Sequence, residues 1–189
     1  VQEALRASER RFRTLADNAP VGIFLTDERS RCIVVNDRYL RITGLERTQA
    51  LQARWLEQVH AEDADIVSVA WDAATRDAAE FSMEYRLSRP DQSVVRVMGR
   101  EPPLMAEAGQ INGYGGAIND ITQRVAAEAE RDAFFNSSLG LMCIADCSGQ
   151  FRRINPAWTA TLGYSLAELI ATPFVNFIHP DDRVRTIQE

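Results

Sequence analysis

Three cysteines among 189 residues are too few, and wrong in parity, for a disulfide-built secreted fold. Cys32, Cys143 and Cys147 therefore read as reduced thiols of a cytoplasmic protein. No second pair joins Cys143 and Cys147 to complete a zinc site, so no metal is expected. Histidine is scarcer still, with only His60 and His179. No run approaches the roughly eighteen apolar residues that suggest a membrane helix. The opening VQEALRASERRF lacks the apolar stretch of a signal peptide. The phosphate loop G-x-x-x-x-G-K-[ST] and the nucleophile elbow G-x-S-x-G are both missing. Positive charge is in deficit: 21 basic against 27 acidic residues leave a net charge of −6, which argues against a nucleic-acid binder. Arg6, Arg10, Arg11 and Arg13 do cluster, but Glu3, Glu9 and Asp17 are interleaved, as on a solvated helix face. An initiator Met is also lacking, which points to a piece of a longer chain.

What is present is 46% apolar and 25% charged, ordinary for a globular protein with a sizeable core. The chain also repeats itself. NAPVGIFLTDERSRCIVVNDRYLRITGLERTQAL, from Asn18, returns as NSSLGLMCIADCSGQFRRINPAWTATLGYSLAEL, from Asn136. Asn18/Asn136 and Gly22/Gly140 lie 118 residues apart. After one inserted residue the spacing is 119, and it holds for Asp27/Asp146, Asn36/Asn155, Gly44/Gly163 and His60/His179. A period this long makes each copy a domain rather than a solenoid unit. The second copy ends at the counterpart of Ala70, so residues 79–122 of the first have no equivalent. The expected division is an N-terminal amphipathic helix over 1–17, a domain over 18–122, a linker helix over 123–135, and the N-terminal half of a second domain over 136–189.

Within the first copy, Ala4 to Asp17 reads as a helix with Leu5, Ser8, Phe12, Leu15 and Ala19 in a heptad-like stripe. Val21–Thr26 and Cys32–Val35 are short β-rich runs around the turn DERS, a hairpin. Asn36 is a suitable N-cap and Gly44 a suitable terminator for a short helix through Ile42. Asp63 to Ala79 reads as a longer helix with Ile66, Val67, Ala70, Trp71 and Ala74 on one face. Three strands follow. Phe81, Met83, Tyr85 and Leu87 alternate with polar residues. Pro90-Asp91-Gln92 turns into Val94–Glu101, and Ala108-Gly109-Gln110 turns into Ile111–Asn119. The fold class is α+β: a five-stranded antiparallel sheet flanked by helices, with an N-terminal and an interdomain helix.

These residues resemble the PAS sensor domain with its C-terminal PAC part. The pieces that carry the resemblance are N-x-P-x-G-I at Asn18–Ile23, V-N-D-R-Y at Val35–Tyr39, I-T-G-L at Ile42–Leu45, and the closing G-x-x-x-D-I-T. The second copy adds R-I-N-P-A-W, T-L-G-Y-S-L-A-E-L and I-H-P-D-D-R. The resemblance implies a sensory or relay module rather than an enzyme, placed upstream of a histidine kinase, diguanylate cyclase or phosphodiesterase. It implies a pocket between sheet and helices, with Ile23, Leu25, Val34, Phe81, Met83 and Val97 as candidate lining. No cysteine sits in a flavin-type N-C-R-F-L-Q helix, and Asp63–Ala79 carries no haem-ligating His. No coloured cofactor is therefore expected, though a small-molecule ligand is compatible. His60 and His179 read as parts of helix starts, where acids favour the positive end of the dipole. No catalytic residues are assigned. The expected partners are a second copy, through Leu5, Phe12 and Leu15 or the sheet, and a downstream output domain, with no nucleic acid and no membrane contact. Asp120, Ile121 and Thr122 mark the joint from last strand to linker helix, the expected route of signal output.

Overall fold

A run of β-branched and aromatic residues on either side of a tight turn starts the sheet. In the computed structural model, β1 (Gly22–Thr26) and β2 (Cys32–Val35) pair antiparallel. The structure describes residues 2–51, 53–106 and 110–188, with the side chains at 2, 4, 5, 9 and 186–188 left out. Asp27 shapes the turn: its Oδ1 accepts from the Arg29 and Arg31 amides at 2.8 and 2.9 Å. A bulge follows, so that Ile33 and Val34 both point away from the core while Cys32 and Val35 point into it.

Asn36 then caps α2 (Asp37–Thr43), its Oδ1 accepting from the Tyr39 amide at 2.8 Å. Gly44, at φ 72°, ends the helix in the left-handed conformation that glycine favours. A four-residue helix α3 (Arg47–Ala50) and a 3₁₀ turn (Trp55–Gln58) come next; both are too short to leave a periodic signal. Helix α4 runs Ala61–Arg76, not Asp63–Ala79, because His60 caps it: its Nδ1 accepts from the Glu62 amide at 3.3 Å. Val67, Trp71 and Ala74 are buried, with Ala70 beside them. Ile66 is 60% exposed, contrary to expectation, because it lies about 100° around the helix from Val67.

Strand β3 (Phe81–Ser88) lies where the alternation places it, and β4 (Val94–Glu101) and β6 (Ile111–Asp120) lie where the turns place them, β6 running one residue past Asn119. Ala108 and Gly109 of the expected turn lie outside the described residues. A short β5 (Pro103–Met105), not foreseen, pairs with β6. Proline lacks the N–H a strand normally donates, yet the Pro102 carbonyl accepts from the Gly115 amide at 3.0 Å. The main sheet is antiparallel, five strands wide, in the order β2-β1-β6-β4-β3. One face is the core, where Phe24, Val97 and Ile118 meet Trp55, Val67 and Trp71. Each fully buried large side chain contributes roughly 1.5–3 kcal/mol. Helix α1 (Gln2–Asp17) lines the other face of β1 and β2.

The chain forms two units, Val1–Arg124 and Val125–Glu189. Helix α5 (Thr122–Ser137) starts in the first and continues into the second. The second unit holds the hairpin β7 (Cys143–Ala145) and β8 (Phe151–Ile154), then α6 (Ala157–Leu162), α7 (Leu166–Ala171), two 3₁₀ turns and α8 (Arg183–Gln188). Much of the hydrogen-bond plan repeats, apart from the cap: Asn36 caps α2 with its side chain, while α6 starts after Pro156 with no side-chain bond. Asn155 accepts from Met142 N and donates to Gly140 O, as Asn36 accepts from Ile23 N and donates to Val21 O. Asp146 shapes its turn as Asp27 does, Gly163 ends α6 at φ 75°, and His179 Nδ1 accepts from the Asp181 amide at 3.4 Å. Both histidines thus cap the helix starts in which the sequence places them, a role beyond the dipole effect of the neighbouring acids.

Candidate functional site

Two places in the first unit could respond to a signal: the interior of the sheet and the cleft behind it. The interior is aromatic. Trp55 stands 5.2 Å from Trp71 and 5.7 Å from both Phe81 and Tyr85, centroid to centroid. Glycines on the sheet floor make room for such rings. A Cβ on Gly116 would lie 2.2 Å from the Phe24 ring, and one on Gly99 would lie 2.7 Å from Tyr85. Any larger residue there would displace an aromatic wall.

The same interior holds polar groups. Glu101 is fully buried. Desolvation pushes its carboxyl well above the usual carboxylate range, while the facing Tyr85 hydroxyl favours its charged form. No hydrogen bond from a described residue closes on either oxygen. The Cys32 thiol lies 3.9 Å from the Tyr39 hydroxyl, and burial pushes it up to about 11. Burial likewise raises Tyr39 and Tyr85. All three are neutral at pH 7.

The six candidate lining residues do not converge. Phe81 and Val97 are buried on the core face, and Met83 packs partly against it. Ile23, Leu25 and Val34 face away. Gly22, Phe24 and Thr26 take the inward positions of β1, and the β2 bulge turns Val34 outward with Leu25, its register partner. In β1 every residue from Ile23 to Leu25 is apolar, so alternation alone cannot give the phase. Ile23 and Val34 instead line a cleft of about 460 Å³ with Phe12, Ile33 and Leu51. Arg13, Asp17 and Arg47 provide its charged rim. Phe12 is 48% and Leu15 73% exposed; the side chain of Leu5 lies outside the described residues. Residues missed in the sequence are Tyr39, Trp55 and Glu101. Glu101 did leave a signal, since it continues the inward phase of Val95, Val97 and Gly99.

The joint after β6 is a latch. Ile121 is buried, and its amide donates to Arg96 O at 2.9 Å. Asp120 Oδ1 accepts from the Thr122 amide at 2.9 Å. Thr122 Oγ1 accepts from the Arg96 amide at 2.9 Å and reaches the Arg96 carbonyl at 3.4 Å. Two residues on, Arg124 pairs with Glu84 of β3 at 2.9 Å. Helix α5 thus begins at Thr122, one residue before the expected Gln123, tied to β4 and β3.

The family profile described as PAS fold matches residues 10–121 and 129–189. The chain belongs to the PAS family. Among relatives, it is 37% identical over 129 residues to the uncharacterized protein y4lL of Sinorhizobium fredii, covering 68% of this chain and 16% of that one. It is 31% identical over 139 residues to the methanogenesis regulatory histidine kinase FilI of Methanothrix harundinacea, covering 72% of this chain and 16% of the kinase. It thus spans less than a fifth of the length of either relative. The crystal structure of a PAS domain from Colwellia psychrerythraea superposes with TM-score 0.56 at 20% identity, covering 61% of this chain and 98% of that one. This PAS sensor region is homologous to domains of sensor kinases. Among the described residues no helix is long and apolar enough to cross a membrane, and no cluster of three or more His, Cys, Asp or Glu could hold a metal ion.

Proposed function

We propose that this PAS region is a non-enzymatic sensory and relay module of a larger cytoplasmic signalling protein. The downstream domain would be a histidine kinase, a diguanylate cyclase or a phosphodiesterase. A ligand or partner biases the first sheet, and the bias passes into α5 as a shift between populated states. The observation that carries this reading is the latch. Strand β6, at the centre of the sheet, continues through Asp120-Ile121-Thr122 into α5 with no loop between.

Thr122→Val tests it, because it keeps the β-branched shape and removes the Oγ1 bonds to Arg96. The expected result is faster amide exchange in the first turns of α5 with unchanged protection in β6, together with altered output in the full-length protein. Unchanged exchange in α5 would remove Thr122 from the relay.

A second reading, a ligand-free dimerisation and relay module, is favoured by the close ring packing of the interior and the exposed Phe12. Native mass spectrometry separates the two: a stoichiometric small molecule supports sensing. In either reading the partner is a second copy, joined through α1. Phe12→Asp is then expected to weaken the dimer in sedimentation, and an unchanged dimer would exclude this contact.

A further inference from the structure

Burial of one acid among rings calls for a physical reason. Glu101 is 0% exposed and is the only Asp, Glu, Lys or Arg buried among the described residues. Its register partner on β3 is Phe81. Tyr85 leans over Gly99, two residues earlier on the same face of β4. Two further buried polar atoms in this ring cluster also lack a hydrogen-bond partner among the described residues: the Trp55 indole nitrogen and the Tyr114 hydroxyl. Trp71 joins them, 5.2 Å from Trp55 and 4.7 Å from Tyr114.

We propose that this cluster recognises a small organic cation of the alkylammonium class, with Glu101 as counter-ion and Trp55, Phe81 and Tyr85 as π walls. The inference rests on the sensory reading above and names its ligand class. An apolar ligand would leave the carboxyl unanswered, and an anion would be repelled by it once charged. A cation satisfies both features, because ring faces attract positive charge and the carboxylate becomes paired. Among the described residues no buried Arg or Lys competes for the position.

Trp55 is the movable wall. It opens a single 3₁₀ turn that has no side-chain cap, and no acceptor among the described residues holds its indole N–H. Packing alone keeps the ring in place, so a ligand gains its volume by turning it. The titratable groups facing Glu101 are Tyr85 of β3, Tyr39 of α2 and Cys32 of β2, all neutral at pH 7. The cation therefore ionises Glu101 itself, and the carboxyl proton leaves to solvent, one per ligand bound.

The test uses the whole chain with choline and tetramethylammonium as probes, against 3,3-dimethyl-1-butanol, the uncharged carbon isostere of choline. Both cations are expected to raise Tm and shift tryptophan emission, and the isostere to do neither. Calorimetry in two buffers of different ionisation enthalpy is expected to read one proton released. Glu101→Gln is expected to weaken cation binding by about thirtyfold or more with the circular dichroism spectrum retained. Trp55→Phe is expected to remove most of the emission change. Equal binding of cation and isostere, undiminished binding by Glu101→Gln, or no binding of either cation overturns the proposal. A neutral or anionic molecule then found by native mass spectrometry would leave the sensory reading standing with a different ligand class. No bound molecule at all would remove ligand sensing with it.

Discussion

Asn36 and Glu101 are both buried polar residues of the first unit, and they meet burial in opposite ways. Asn36 uses both ends of its amide. Oδ1 accepts from Ile23 N and Tyr39 N, each at 2.8 Å, and Nδ2 donates to the Ala16 and Val21 carbonyls. It joins α1, β1 and α2 at one point, and nothing about it is left to titrate. Glu101 answers burial by staying protonated. Its folded-state value stands well above the ordinary 4.5, with desolvation the leading cause. The unfolded chain therefore sheds this proton first as pH rises, and folded stability falls from about pH 4.5 upward toward the folded value. In Glu101→Gln that slope has no source. Denaturant titrations between about pH 5 and 8 are expected to show wild-type stability declining with pH and the variant's curve flatter over the same range. Parallel curves would mean that Glu101 ionises in the folded state at its ordinary pH.

At the scale of elements, legibility tracks whether a segment's two faces differ. Strand β3 alternates apolar and polar residues, and both its existence and its inward face could be read directly. Strand β1 is apolar on both faces, so its presence was legible but its phase was not, and Ile23, Leu25 and Val34 were assigned to the wrong side. Short helices such as α3 complete too few turns to display a period. Strand β5 was hidden by the prolines at 102 and 103. The start of α4 was misplaced because a histidine is a less familiar cap than an acid. The acid at that helix start serves a different purpose. Asp63 accepts from the Arg86 backbone amide at 2.8 Å and from its guanidinium at 3.0 and 2.6 Å, tying α4 to β3. The Arg86 hydrogen bonds hold the Asp63 carboxyl down to about 2. Its contribution is fully present above the ordinary carboxylate range and is lost as pH falls toward 2. Asp63→Asn is expected to lower stability at neutral pH by roughly 1–2 kcal/mol. The deficit should vanish in unfolding curves taken near the bottom of that range. A deficit that persists there would assign the effect to packing instead of charge.

For the whole molecule, the repeat makes two units from one local plan with different amounts of core. The shared plan is a hairpin with an Asx-shaped turn, a buried Asn, a short helix ended by Gly, and a His-capped start. In the first unit this plan is completed by β3, β4 and β6, which enclose Trp55, Trp71 and Val97. Among the described residues of the second unit, the buried apolar side chains are Phe135, Phe151 and Leu169. Every residue of β7 is exposed, and so are Leu139, Leu166 and Ile170. A two-stranded hairpin supplies little independent stability in water. Local opening should therefore demand less free energy around β7 and β8 than around β1, β4 and β6. Native-state hydrogen exchange of the intact chain is expected to show amides of the second hairpin exchanging at least about tenfold faster than those of the first sheet. The amides held by Asn155 and Asp146 should be the slowest of the second unit, since Met142, Ser148 and Gln150 N–H groups are tied there by side-chain oxygens. Equal protection in both hairpins would mean that the second copy draws stability from a surface beyond its own core, and the shared local plan would then be insufficient to rank the two units.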